Sequence, residues 1–207
     1  LPPPRSANMR VTTAQHSSLI GGGYQLVTRI GQGGVGKGYK VTHTHLSRTF
    51  ALKIISNQVA ETDEARELFY REARFASAMS HPSITSVVDF GEDEKVGMFM
   101  VMEFVDGVNL HKLVTRHRAL SEVRAAHYVA QAAAGLQAIM QNDVVHRDLK
   151  PGNLILARDN MIKVVDLGLA RFLDQRSDDL TRQFDEERVL GTADFISPEQ
   201  ALHSHDV

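Results

Sequence analysis

Eight consecutive residues, His146-Arg147-Asp148-Leu149-Lys150-Pro151-Gly152-Asn153, do most to narrow what this chain can fold into. They set a carboxylate, an ammonium and an amide close together on a polar loop. A long stretch of helical pattern opening at Ser121 precedes them. Two short apolar runs follow, Leu154-Ile155-Leu156 and Met161-Ile162-Lys163-Val164-Val165, and the second leads into Asp166-Leu167-Gly168. An isolated aspartate is usually a turn residue or a helix cap. That reading does not explain all these elements in this order. Carboxylate and amide oxygens are ligands suited to a hard cation such as Mg²⁺, which also takes phosphate oxygens and water.

The first half of the chain carries a second cluster. Gly31-Gln32-Gly33-Gly34-Val35-Gly36 is a G-x-G-x-x-G loop, whose backbone can approach phosphates closely and point N–H groups at them. The letters alone are weak, because dinucleotide-binding folds share them and many Gly-rich turns bind nothing. A dinucleotide loop opens a helix, whereas here the chain returns as a strand through Tyr39-Lys40-Val41. Ala51-Leu52-Lys53 then puts an ammonium on a third strand, and Glu72 follows on a helix face expected to pack against the sheet. A lone strand lysine is usually a solvated edge residue, but a Lys53–Glu72 pair would hold the ammonium against phosphates.

Along the chain, residues 1–22 are read as a flexible leader: Pro2-Pro3-Pro4, scattered polar residues and little apolar periodicity. Strands are expected at 24–30, 39–42, 49–55, 84–90 and 98–104. A helix is expected over 62–79, with Thr62 as N-cap and Leu68, Phe75, Ala76 and Met79 on one face. A short helix begins at Asn109. In the long helix from Ser121, Val123, Val129, Leu136 and Met140 recur at helical spacing, which predicts a buried amphipathic helix rather than a membrane span. The fold class is therefore α+β, with a β-rich lobe at 23–106, a mainly helical lobe at 107–207 and a ligand cleft between them. Of the 207 residues, 43% are hydrophobic and 23% charged, enough apolar material for a core. The net charge of −2 gives no reason to expect nucleic acid or an anionic membrane as partner. With no cysteine, disulfides, thiolate metal sites and cysteine catalysis are excluded, which fits a reducing compartment.

The run from His146 to Asn153 resembles the catalytic loop of the eukaryotic-like (Hanks-type) protein kinases, and Asp166-Leu167-Gly168 resembles their magnesium-binding triplet. Lys150-Pro151-Gly152-Asn153 and Gly191-Thr192 resemble the serine/threonine type, and Gly191-Thr192-Ala193-Asp194-Phe195-Ile196-Ser197-Pro198-Glu199 resembles the bacterial branch. The resemblance implies a bilobal kinase-like fold, ATP and Mg²⁺ as cofactors, a protein Ser/Thr hydroxyl as acceptor in signal transduction, and a cytoplasmic location, with a membrane-tethered full-length parent as the alternative. It implies that Asp148 orients the hydroxyl and accepts its proton, that Lys150 lies near the moving phosphate, and that Lys53, positioned by Glu72, holds the α- and β-phosphates. Asn153 and Asp166 would hold the metal. Nucleotide contacts would come from Ile30, Gly31, Gln32, Gly33, Gly34, Val35, Gly36, Lys37, Gly38, Ala51, Lys53 and Ile155. Met102 would stand behind the adenine, with backbone groups of Glu103 and Val105 at its edge.

The chain departs from that family in several places. Gly38 stands where relatives usually place a Val over the adenine, and Leu167 replaces a Phe. Ser177 and Thr181 are offered as phosphorylation sites. Asp185-Glu186-Glu187 reads first as a solvated acidic turn; the alternative is that one of its carboxylates pairs with Arg147 in place of a phosphate. His203-x-His205 is weak as a metal site. The sequence begins at Leu1 and ends at Val207, which reads as a fragment lacking the later helices of the catalytic domain. The alternative to an enzyme is a non-catalytic kinase-like module that binds nucleotide or a partner. Intact Lys53, Glu72, Asp148, Asn153 and Asp166 favour the enzyme.

Overall fold

The computed structural model describes residues 19–33, 36–56, 62–142, 144–146, 148–167 and 195. Its first half is a five-stranded antiparallel sheet in the order β1-β2-β3-β5-β4. The strands are β1 (Tyr24–Gly33), β2 (Gly36–His43), β3 (Arg48–Ile55), β4 (Val87–Asp93) and β5 (Gly97–Glu103). In β5 both faces are buried, so side-chain alternation feeds two cores. Met98, Met100 and Met102 pack with Leu68, Phe69, Ala73 and Ala76 of helix α1 (Asp63–Ala78). Phe99 and Val101 pack with Tyr24, Val41, Phe50 and Leu52 on the other side.

Helix α1 starts as its sequence dictates. The Thr62 hydroxyl accepts the Ala65 amide at 3.2 Å, a cap worth about 1 kcal/mol, and Asp63 and Glu64 favour the positive end of the helix dipole. Its buried face is Ala65, Leu68, Phe69, Glu72, Ala73 and Ala76, while Phe75 is half exposed. The expectation that Phe75 shares the core face is corrected. The stripe running i, i+3, i+4, i+7 from Ala65 takes Phe69 and Ala73 inward and leaves Phe75 at its edge.

The N-terminal segment packs before β1 begins. Ile20 is buried against the Phe99 core, and the Gly21 amide donates to Asp93 Oδ2 at 3.0 Å. Both lie within the stretch read as leader.

The second half holds a small antiparallel sheet, β6 (Gly107–Asn109), β7 (Leu154–Ala157) and β8 (Ile162–Val164). With it are helix α2 (Leu110–His117), helix α3 (Glu122–Met140) and a 3₁₀ turn at Pro151–Asn153. Asn109 caps α2 by accepting the Lys112 amide at 2.8 Å. Helix α3 buries Tyr128, Ala132, Gly135 and Ile139 against Ile84, Ile162 and Val164. Val123, Val129 and Met140 are exposed, so the buried face predicted from them is corrected. At Gly135 the backbone of 83–84 comes so close that a Cβ would stand 3.1 Å from the Ser83 carbonyl oxygen.

Residues 83–86 join the halves. The Val164 amide donates to the Ser83 carbonyl at 2.8 Å, the Thr85 amide to the Val164 carbonyl at 3.0 Å, and the Glu103 amide to the Ser86 carbonyl at 2.9 Å. One short segment thus holds both the end of β5 and the end of β8.

Candidate active site

Between the halves lies a cavity of about 460 Å³. Strand pairing brings its polar groups in from the sheet. Gly33 opposes Gly36 and Gly31 opposes Gly38 across β1–β2, and Gly38 opposes Lys53 across β2–β3. Lys53 therefore lies beneath the glycine hairpin, with Ala51 two residues back on the same face of β3. At Gly36 a Cβ would collide with the Ile54 carbonyl oxygen, so the close approach of β2 to β3 demands glycine there.

The polar loop supplies the opposite wall. His146 is buried, and its Nε2 lies 3.0 Å from the Val165 carbonyl. A carbonyl can only accept, so Nε2 carries the hydrogen. The Asp148 amide donates to the His146 carbonyl at 2.8 Å. Lys150 Nζ lies 2.9 Å from the Asp148 carboxylate, and Asn153 Nδ2 donates to the Asp148 carbonyl at 2.7 Å and to Oδ2 at 3.1 Å. These bonds fix the Asn153 amide so that its oxygen is turned away from Asp148. The Val165 amide donates to the Asn153 carbonyl at 3.0 Å, which ties the loop to the strand end carrying Asp166.

Asp166 closes the circuit. Its carboxylate meets Lys53 Nζ at 2.9 Å, and its backbone sits at φ 64°, where non-glycine residues are uncommon and Asp is among the better tolerated. A carboxylate from Asp166 and an amide oxygen from Asn153 form a donor set that fits Mg²⁺, which keeps phosphate oxygens and water among its ligands. Among the described residues no three His, Cys, Asp or Glu side chains gather into a cage made by protein alone.

Of the residues singled out from sequence, the cavity wall brings together Ile30, Gly31, Gln32, Gly33, Gly36 and Gly38 with Ala51 and Lys53. Met102, Glu103, Val105 and Ile155 complete the ring around them, and Asp148, Lys150, Asn153 and Asp166 line the polar end. Lys37 and Glu72 are not in the lining. Lys37 lies on β2 opposite Gln32, and Glu72 is buried on α1 with Oε1 3.9 Å from Arg71 Nε. Gly34, Val35, Arg147, Gly168, Ser177, Thr181, the 185–187 acids, Thr192 and the 203–205 histidines lie outside the described residues.

Sequence reasoning missed Thr85, Phe104, Asn109 and Val165 in the lining. Asn109 had a signal, but as the start of a short helix. Thr85 had none: it is buried, and its hydroxyl has no hydrogen-bond partner among the described residues.

A β-rich lobe and a helical lobe thus meet around a cluster of Lys53, Asp148, Lys150, Asn153 and Asp166. The comparisons give the class. The protein kinase domain family matches residues 24–206, and the chain belongs to that family. It is 35% identical over 187 residues to the serine/threonine-protein kinase pkn3 of Myxococcus xanthus, covering 87% of this chain and 34% of that protein. It is also 35% identical over 194 residues to the serine/threonine-protein kinase PknB of Mycolicibacterium smegmatis, covering 92% of this chain and 30% of that protein. The chain thus spans about a third of the length of these relatives. Among solved structures, the PknI kinase domain of Mycobacterium tuberculosis superposes with a TM-score of 0.62 at 30% identity, covering 74% of this chain and 62% of that one. Among the described residues no helix is long and apolar enough to cross a membrane.

Proposed function

We propose that this chain is the ATP-binding and catalytic part of a serine/threonine protein kinase. The observation that carries the reading is the convergence of Lys53, Asp148, Lys150, Asn153 and Asp166 on one cavity whose other end is lined by Ala51, Met102 and Ile155. Adenine would lie among the apolar residues. The Glu103 amide is already bonded to Ser86, so the base would meet the Glu103 carbonyl and the backbone of Val105. Lys53 would hold the α- and β-phosphates beneath the glycine hairpin. Mg²⁺ bound by Asn153 and Asp166 would neutralise charge on the phosphates.

Phosphoryl transfer needs in-line positioning more than covalent work by the protein. Asp148 would align the acceptor hydroxyl and take its proton as the oxygen attacks the γ-phosphorus. The bond from that phosphorus to the β–γ bridging oxygen breaks, and ADP leaves with the electron pair. Lys150, 2.9 Å from Asp148, would face the charge on the moving phosphoryl group.

The test is ATP- and Mg²⁺-dependent incorporation of phosphate into the chain itself or a Ser/Thr protein. Asp148→Asn is expected to lower it at least about a hundredfold while leaving ATP binding within a few-fold. Nucleotide binding with no phosphate transfer by the unaltered chain would overturn the catalytic reading in favour of a binding module.

A further inference from the structure

Lys163 sits in β8 between Ile162 and Val164, both fully buried in the helical half. Alternation along the strand sends Lys163 to the opposite side, the side on which Val165 lines the cavity. There its Nζ meets Glu103 Oε2 at 3.0 Å. Glu103 is the last residue of β5, and Lys163 stands three residues before Asp166. Residues 83–86 connect the same two places through the backbone, by the Val164–Ser83, Thr85–Val164 and Glu103–Ser86 bonds. The ion pair closes this connection into a ring.

The two ends of the ring face different parts of one ligand. Glu103 lies where the base would be met, and Asp166 where metal and phosphates would be. A pair at the surface adds little to stability. This one is half withdrawn from water, with Lys163 17% and Glu103 37% exposed, and it sets a distance rather than merely joining two elements. We infer that Glu103 and Lys163 form a positioning pair that fixes the spacing between the adenine-binding end and the metal-binding end of the cavity. The inference rests on the nucleotide reading above. A ligand spanning both ends gains from that preorganisation, whereas a ligand touching one end does not.

The experiment compares binding of adenosine with binding of ATP plus Mg²⁺ by calorimetry, using the full chain and normalising to folded protein. Lys163→Met is expected to weaken ATP binding about threefold to tenfold while adenosine affinity stays within about twofold. Lys163→Arg, which keeps the charge, should bind ATP as the parent does. The reversed pair, Glu103→Lys with Lys163→Glu, should recover most of the loss seen with Glu103→Lys alone. Equal weakening of both ligands, no weakening of either, or a reversed pair no better than its single variant would each overturn the positioning role. An unaltered chain that binds neither ligand would overturn the nucleotide reading itself, a result visible before any variant is made.

Discussion

At the scale of single residues, Gly38 is the departure with the clearest consequence. It lines the cavity, and a Cβ placed on it would find only ordinary contact, with Ile30 Cγ1 at 3.5 Å. Glycine within a strand also loses more conformational freedom on folding than other residues. Gly38→Val should therefore add apolar contact for the base without strain. About 1 kcal/mol of such contact corresponds to about fivefold tighter ATP binding. Titration of the variant beside the parent checks this, and weaker binding would show that the space over the base is needed empty.

Tyr24 makes a different prediction at the same scale. Burial, then the hydrogen bond to Asp89 Oδ2 at 2.8 Å and that group's charge, push its hydroxyl well above the ordinary tyrosine value. The fold thus favours the protonated form. The unfolded chain releases this proton first as pH rises past the ordinary value of about 10. Stability from Tyr24 is complete below that value and is lost above it. Tyr24→Phe should be less stable than the parent at pH 8, and the gap should shrink above pH 10 in chemical unfolding.

At the scale of elements, most of the site was legible because chemistry and periodicity coincide there. Lys53 could be placed on its strand because Thr49 to Ile55 reads as a strand, and Thr62 could be named as a cap because an apolar stripe starts just beyond it. Helix α3 was read less well. Its large apolar residues mark a plausible stripe, yet the structure turns Val123, Val129 and Met140 outward and packs Ala132 and Gly135 inward. Size in a sequence does not reveal how near another backbone will come. Lys163 and Thr85 escaped for a related reason, since each acquires its role from a strand or segment distant in sequence. Gly135 gives the matching prediction. Even a methyl group there meets Ser83 at 3.1–3.2 Å, so Gly135→Leu must push the helix from residues 83–86. A loss of about 1–3 kcal/mol is expected, read as a lower melting temperature.

At the scale of the whole molecule, each half has its own core, one around α1 and β5 and another around α3 and β8. Between them run the 83–86 segment, the Lys163–Glu103 pair and the Lys53–Asp166 pair at 2.9 Å. A ligand held by Lys53 from one half and by Asn153 and Asp166 from the other should act as a further link. Binding to the folded state alone raises stability by about 2.7 kcal/mol when ligand is at 100 times its dissociation constant. ATP with Mg²⁺ should therefore raise the melting temperature of the parent by several degrees. Lys53→Met should remove most of that rise by taking away the phosphate contact of the sheet. Asp166→Asn should remove the part that depends on Mg²⁺ and keep the smaller rise given by ATP with a chelator. If both variants kept the full rise, the nucleotide would have to be bound without linking the halves, and the phosphates would lie elsewhere than between Lys53 and Asp166.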